Sequence, residues 1–161
     1  MAAVPTLYVV IAAVFWALIL GGLGGLLTEI GPWYRNLRKP PWQPPDWLFG
    51  PAWTIILILA AWAGVLAWQG APDAAGRTTV IILYAVNFVF HFAWSPLFFK
   101  LKRPDWALAE VVFLWASVLG LFLGLRPFSE AASWMILPYL LWVTFASFLN
   151  LAIVRLNRPF A

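Results

Sequence analysis

Charged side chains fall in clusters along this chain and leave five long stretches without any. No Asp, Glu, Lys or Arg occurs in Met1–Thr28, Trp47–Pro72, Thr78–Phe99, Val111–Leu125 or Ala131–Val154. A helix needs about 20 apolar residues to cross a hydrocarbon core about 30 Å thick. Four of the stretches exceed that length, and the fourth along the chain reaches it once Trp106–Glu110 are included. A membrane barrel would instead need short strands alternating apolar and polar residues, and these stretches are apolar all round. The pattern predicts an all-α integral membrane protein. Its fold is a five-transmembrane-helix bundle with helices at about 6–27, 50–69, 78–99, 105–125 and 132–155, in one domain spanning 1–161.

Three of the four connections are short: Gln69–Arg77, Lys100–Pro104 and Arg126–Ala131. Short links predict that sequential helices are antiparallel neighbours. Thr78, Asp105 and Ser129 stand where helix-start residues are expected. The basic residues divide unevenly between the two ends of such a bundle. Arg77 and Arg126 lie at one end, and Arg35, Arg38, Lys39, Lys100, Lys102, Arg103, Arg155 and Arg158 at the other. In a bacterial inner membrane this asymmetry places the N-terminus outside and the C-terminus in the cytoplasm.

Composition narrows the class further. Hydrophobic residues make up 64% of the chain and charged residues only 10%, against about 25% in a soluble domain. The first stretch lacks basic residues ahead of its apolar part and is too long for a signal h-region, so it is kept as a helix. The net charge of +4 is flank charge suited to anionic lipid headgroups, and no nucleic-acid partner is needed to explain it. There is no cysteine, which excludes disulfides and thiolate chemistry.

The long connection, 28–49, is about twenty residues and reads TEIGPWYRNLRKPPWQPPDWLF. Pro32, Pro40, Pro41, Pro44 and Pro45 stiffen it, and Trp33, Tyr34, Trp42, Trp47 and Phe49 give it apolar bodies to bury. An interfacial aromatic belt would account for the aromatics. A stiff loop capping the mouth of the bundle accounts for the prolines as well.

The run Trp33-Tyr34-x-x-Leu37-x-Lys39-Pro40-x-Trp42-x-Pro44-Pro45-x-Trp47-x-Phe49-x-Pro51-x-Trp53 resembles the signature of the tryptophan-rich sensory protein / translocator protein (TspO/MBR, peripheral benzodiazepine receptor) family. So do Ala93-Trp94-Ser95-Pro96-Leu97-Phe98-Phe99 and Pro138-Tyr139-Leu140-x-Trp142 with Ala146 and Leu149-Asn150, and twelve tryptophans in 161 residues suit the name. The resemblance implies a five-helix bundle, often a homodimer, that binds porphyrin or haem, and sometimes sterol, beneath the first long loop. It implies a ligand pocket at Tyr34, Trp53, Asn87, His91, Trp94, Trp142 and Ala146. Two departures stand out. His91 occupies a position that resembles one usually held by Asn. The tail Leu149-Asn150-Leu151-Ala152-Ile153-Val154-Arg155 lacks the Tyr of the animal sterol-recognition pattern, which argues against sterol.

Part of this pocket follows from the residues alone. Asn87 and His91 are four residues apart, on one face of the third helix, with Trp94 and Ser95 on the next turn. Polar groups at that depth face the bundle interior or a wet cavity, either as ligand contacts or as interhelical glue. A single histidine supports neither His-pair coordination nor a multi-ligand metal site, so no metal site is assigned; axial ligation of a haem and simple hydrogen bonding both remain open for it. Glu110 can sit at the interface near a helix N-terminus or pair with a loop cation or a partner subunit. Ala13, Ala17, Gly21 and Gly25, and likewise Ala116, Gly120 and Gly124, form small-residue stripes that suit a homodimer or close packing within one bundle.

No catalytic residues are assigned, because the chain has no acid–base pair beside a nucleophile and no glycine-rich phosphate loop. The expected function is a membrane receptor or carrier for porphyrin or haem, with no cofactor required, acting in tetrapyrrole transport or in stress- or light-dependent regulation. The competing readings are Trp-dependent photo-oxidative porphyrin degradation and a small-molecule exporter.

Overall fold

The computed structural model describes residues 6–160. Residues 1–5 and 161, the two ends of the expected domain, lie outside the described residues. The elements are α1 (Thr6–Leu27), α2 (Pro32–Asn36), α3 (Asp46–Gly70), α4 (Ala74–Ser95), a π-helical turn (Pro96–Lys100), α5 (Pro104–Gly124) and α6 (Glu130–Asn157). Five spans, Thr6–Leu27, Asp46–Gly70, Ala74–Lys100, Pro104–Gly124 and Glu130–Asn157, are long and apolar enough to cross a membrane. The five-helix expectation therefore holds.

The helix starts are set by capping chemistry. Ser129 accepts from Ala132 N–H at 3.2 Å, as expected for a cap. The expected cap at Thr78 is corrected: Asp73 caps α4, accepting from Gly76 N–H at 2.7 Å, so the helix begins four residues earlier. Thr78 lies inside the helix, where its hydroxyl donates to the Ala74 carbonyl at 2.8 Å. An acceptor at residue 73 reaches the free N–H groups of the first turn, so the helix forms from there. Asp105 stands in the first turn of α5, with Pro104 ahead of it. Likewise α3 begins at Asp46 rather than residue 50, with Pro51 inside it. Pro51 removes only the bond that its N–H would make to the Trp47 carbonyl, near an end where such donors are partly unpaired anyway. At the far end of α4 the turn widens around Pro96, and Leu101 N–H bonds the Pro96 carbonyl at 2.9 Å.

Around the bundle α1 packs on α3, α3 on α6, α6 on α5 and α5 on α4, with α4 closing back on α1. The expectation that every sequential pair would be close neighbours fails for α3 and α4, which meet only lightly. The Tyr84 ring stands between their backbones. Its hydroxyl donates to the Ala60 carbonyl at 2.5 Å, and a Cβ on Gly64 would lie 3.0 Å from the ring. Elsewhere small residues bring helices together. Ala60, Ala63 and Ala67 are fully buried in α3, within a core completed by Val118, Leu121, Ile136, Tyr139 and Val143. Because lipid tails are as apolar as these side chains, such close packing, rather than exclusion of water, holds the spans to one another.

The outward faces suit that solvent. Leu18 is 64% exposed, Ile55 60%, Val89 60% and Phe113 58%, and α1 buries only Leu20. Apolar exposure on this scale fits an interface with lipid rather than with water. Of the small-residue stripes, Gly124 faces Leu83 of α4 and Gly21 faces Leu57 of α3, so both lie against helices of the same chain. Gly22, Gly24 and Gly25 face open space.

The α3 terminus abuts the loop between α5 and α6, where a Cβ on Gly70 would lie 1.9 Å from the Phe128 carbonyl oxygen. Backbone cannot yield as a flexible side chain can. Gly70→Ala should therefore destabilise the bundle by about 1–3 kcal/mol and lower its melting temperature in nanodiscs. Gly25→Ala, made in open space, should not. Equal melting temperatures for the two variants would refute the close contact.

Candidate ligand-binding site

The long loop is built as a cap. The short helix α2 sets Tyr34 against Phe99, with ring centroids 5.6 Å apart, and Trp33 against Phe98 at 6.0 Å. Phe98 and Phe99 project from the π-helical turn, so the widened turn forms the seat for the loop. The Lys39 ammonium lies 4.0 Å over the Tyr34 ring, a favourable cation–π placement. The Tyr34 hydroxyl donates to Asp46 Oδ1 at 3.2 Å and accepts from Gln43 Nε2 at 3.2 Å. Asn157 clamps the loop to the end of α6, accepting from Arg38 N–H at 2.7 Å and donating to the Arg38 carbonyl at 2.8 Å. Lys100 pairs with Glu29 and holds its carboxyl below the usual carboxylate range. Trp42 meets Phe145 at 5.8 Å and Phe49 meets Trp142 at 5.7 Å, so the cap reaches the interior aromatics.

Beneath it lies an aromatic chamber. Trp53 of α3 stands edge-on to three rings, His91 at 4.9 Å, Tyr139 at 5.9 Å and Trp142 at 6.2 Å. A hydrogen-bond chain runs under them across three helices. The ring nitrogen His91 Nδ1 is 2.5 Å from the Tyr139 hydroxyl, which donates to Asn87 Oδ1 at 3.3 Å. Asn87 Nδ2 donates to Ser117 Oγ at 3.0 Å, and Ser117 donates to the Leu114 carbonyl at 2.7 Å.

Of the seven expected residues, four come together here: Trp53, Asn87, His91 and Trp142. Asn87 is fully buried and bonded on both sides, so it supports the chamber from below. Tyr34 is in the cap, and Trp94 stands between cap and chamber. Trp94 packs on both clusters, stacks on Phe98 at 5.0 Å and donates to Asn150 Oδ1 at 3.2 Å. Ala146 is half-buried one turn beyond Trp142. Tyr139 was missed as a site residue, although it belongs to the Pro138-Tyr139-Leu140-x-Trp142 run. Its position three residues before Trp142, on the same helix face, was the signal.

On its other side Trp142 lines a groove of 380 Å³ between α3 and α6, with Ala52, Ile55, Ile56, Pro138, Leu141 and Phe145. Ile55 and Leu141 are exposed, so the groove opens sideways on the lipid-facing surface. The Trp142 Nε1–H is buried and has no acceptor among the described residues. Glu110 departs from the expected interfacial placement or pairing with a loop cation, because both its oxygens are buried and neither has a partner among the described residues. It stands beyond the first turn of α5, where the helix has already turned it inward.

The model of the TspO/MBR family matches residues 10–156. The chain belongs to the TspO/MBR family. It is 39% identical over 129 residues to the tryptophan-rich protein TspO of Chlorobaculum tepidum, covering 78% of this chain and 79% of that one. It is 35% identical over 154 residues to the tryptophan-rich sensory protein of Cereibacter sphaeroides, covering 89% and 95%. With the translocator protein of Ovis aries the identity is 31% over 119 residues, covering 73% and 70%. Membership and the five spans together make this an integral, multi-pass membrane protein. The matched region contains all seven expected TspO/MBR pocket positions, together with Tyr139 and Glu110.

The cap has its own pH signature. Burial first, and the Asp46 charge second, push the Tyr34 phenol up to about 12. Its docked form is the neutral phenol. The stability contributed by docking is complete below the ordinary phenol value of about 10 and is lost as pH rises from there towards 12. Phenolate absorbance should show a step near pH 12 that disappears in Tyr34→Phe, accompanied in the parent protein by a change in tryptophan emission. A Tyr34 step near pH 10 would mean that the cap is not docked in the membrane.

Proposed function

We propose that the protein is a membrane receptor or carrier that binds porphyrin or haem in the chamber beneath the 28–49 loop. The carrying observation is the Trp53–His91–Tyr139–Trp142 cage, which offers flat aromatic walls and an unused donor at Trp142 Nε1. Aromatic faces stack on a planar macrocycle, and a few placed polar groups fix its orientation. The rings fill the chamber by edge contacts, so a macrocycle enters as Trp53 or Trp142 rotates aside. The groove behind Trp142 supplies a lipid-side route. At the mouth, Arg35, Arg38 and Lys102 are exposed and, among the described residues, in no ion pair, which suits anionic propionates. Such a molecule serves in tetrapyrrole transport or in stress- or light-dependent regulation. The relatives' names, sensory protein and translocator protein, are compatible with either. Light-driven porphyrin breakdown is the enzymatic alternative, resting on tryptophans placed against the ligand.

Trp53→Ala and Trp142→Ala should each weaken metal-free porphyrin binding several-fold, on the order of 1 kcal/mol or more, without unfolding the bundle. Ala146→Leu should do likewise by filling space one turn from Trp142. Unchanged binding in all three would place the porphyrin elsewhere. His91→Asn separates two roles for the histidine. As an axial ligand its loss alters the haem spectrum and spares metal-free porphyrin; as a hydrogen-bonding wall its loss affects both mildly, which is the outcome expected here. Illumination of the complex tests breakdown, through Trp-dependent loss of porphyrin absorbance.

The reading extends to membrane placement and assembly. The cap, the Lys100–Arg103 turn and the end of α6 lie at one end of the bundle, tied by the Arg38–Asn157 and Lys100–Glu29 contacts. By the positive-inside rule that end is cytoplasmic in a bacterial inner membrane, with the N-terminus outside. A homodimer would use the open glycine face of α1, at Gly22 and Gly25, where a second backbone can approach closely. Gly25→Leu should then shift the protein towards monomer in lipid, as read by single-molecule photobleaching. An unchanged dimer fraction would remove α1 from the seam.

A further inference from the structure

Glu110 is a carboxyl group without a partner inside a membrane-spanning helix. It belongs to the α5 stripe Ala107, Glu110, Leu114, Ser117 and Leu121, whose other four members are buried. Ser117, further along that stripe, bonds Asn87, and through it joins Tyr139 and His91. Glu110 is two turns from Ser117, about 10 Å along the helix, on the side towards the cap.

No cation of the surrounding elements neutralises it. From α4 the chamber receives His91, and from α6 Tyr139; the charged groups of those helices, Arg77, Glu130 and Arg155, stand at helix ends. Lys100 is engaged by Glu29, Arg103 by Asp105, and Arg126 by Glu130. On α3 the charged group is Asp46, held in the cap beside Tyr34. A carboxyl group with no cation beside it in hydrocarbon exists as the neutral acid, with donor and acceptor both unused.

We propose that Glu110 is a second recognition group, which binds the protonated amino group of a lipophilic amine inside the bundle. An alcohol or amide would gain one ordinary hydrogen bond there. An ammonium gains a charge-assisted one in a medium of low dielectric. The proton balance is definite. The ammonium arrives charged from water, the Glu110 carboxyl loses its proton to water, and the bound pair is ammonium with carboxylate. Binding therefore releases one proton. The proposal does not rest on porphyrin binding, which draws on the basic rim and the tryptophans instead.

The test uses the full chain in nanodiscs of zwitterionic phosphatidylcholine, so that anionic lipid does not attract the probe. The probes are 1-naphthylmethylamine and its neutral isostere 1-naphthylmethanol, titrated by quenching of tryptophan emission. The parent protein should bind the amine at least about tenfold more tightly than the alcohol. Its amine affinity should rise with pH, as expected for release of a proton on binding. Glu110→Gln, which keeps the shape, should abolish the preference and the slope while leaving the alcohol and metal-free porphyrin unchanged. Equal affinities for the two probes in the parent protein would overturn the proposal. So would a preference or slope that survives in Glu110→Gln, since the titrating group would then be His91. Should that variant fail to fold, indicator-dye measurement of proton release by the parent protein on amine binding decides it, and no release refutes the proposal.

Discussion

The hydrogen-bond chain from His91 through Tyr139, Asn87 and Ser117 to the Leu114 carbonyl is the constraint on which the interior depends. In hydrocarbon each span satisfies its own backbone, so backbone hydrogen bonding does little to align one helix with another. Dispersion between apolar surfaces is equally permissive, because lipid competes for the same surfaces. A directed chain of donors and acceptors is not permissive. It holds α4, α5 and α6 in one register, since sliding any of them by a turn would strand a buried amide, phenol or hydroxyl. The same chain holds the His91 ring in its T-shaped contact with Trp53. Alignment of the helices and chemistry of the chamber thus have one origin.

The cap is a second, separable layer. It rests on Phe98 and Phe99, and they face it because the turn after Ser95 is π-helical. Proline at 96 cannot donate the N–H that would continue an α-helix, so the chain winds wider and its next hydrogen bond reaches from Leu101. The loop prolines limit the entropy lost on docking, and Trp33, Tyr34 and Trp42 supply the contacts. Trp94 belongs to both layers and couples cap to chamber through its ring and through Asn150, which in turn donates to the Pro104 carbonyl at 2.9 Å.

How much of this was legible follows from what each feature depends on. The spans depend on the spacing of charges, which the sequence displays directly. Cap residues are local but ambiguous. Thr78 and Asp73 both suit a helix start, and the acceptor with nothing upstream to compete for it prevailed. The α3 start at Asp46 was hidden because Pro51 reads as a boundary, whereas a proline near a helix N-terminus is tolerated. The pairing of α3 with α1 and α6 rather than α4 depends on where one tyrosine ring lies, and no local pattern contains that. Tyr139 escaped notice for a related reason: inside an apolar helix it reads as core, and its part in the chain becomes visible only with Asn87 and His91 across from it. Tyr34 and Trp94 carried family weight, and their separation from the chamber is a fact of three dimensions.

A protein that satisfies its buried polar groups this carefully makes the exceptions informative. Asn87, Ser117, Ser133 and Asn150, the buried polar side chains of the core, all have partners. Among the described residues Trp142 Nε1 and the Glu110 oxygens do not, and neither do Trp16 Nε1, Gln43 Oε1 and Arg77 Nε. Neither Trp142 nor Glu110 is needed to align the helices, so alignment does not explain them. An unpaired donor or acid inside a membrane persists where something else can complete it. Trp142 lies between the chamber and the lipid-side groove, and Glu110 lies between the hydrogen-bond chain and the cap. Trp142 and Glu110 differ in chemistry, one a neutral donor and the other an acid. A single ligand chemistry would not call for both, and this favours an interior that distinguishes among ligands over one shaped to a single molecule.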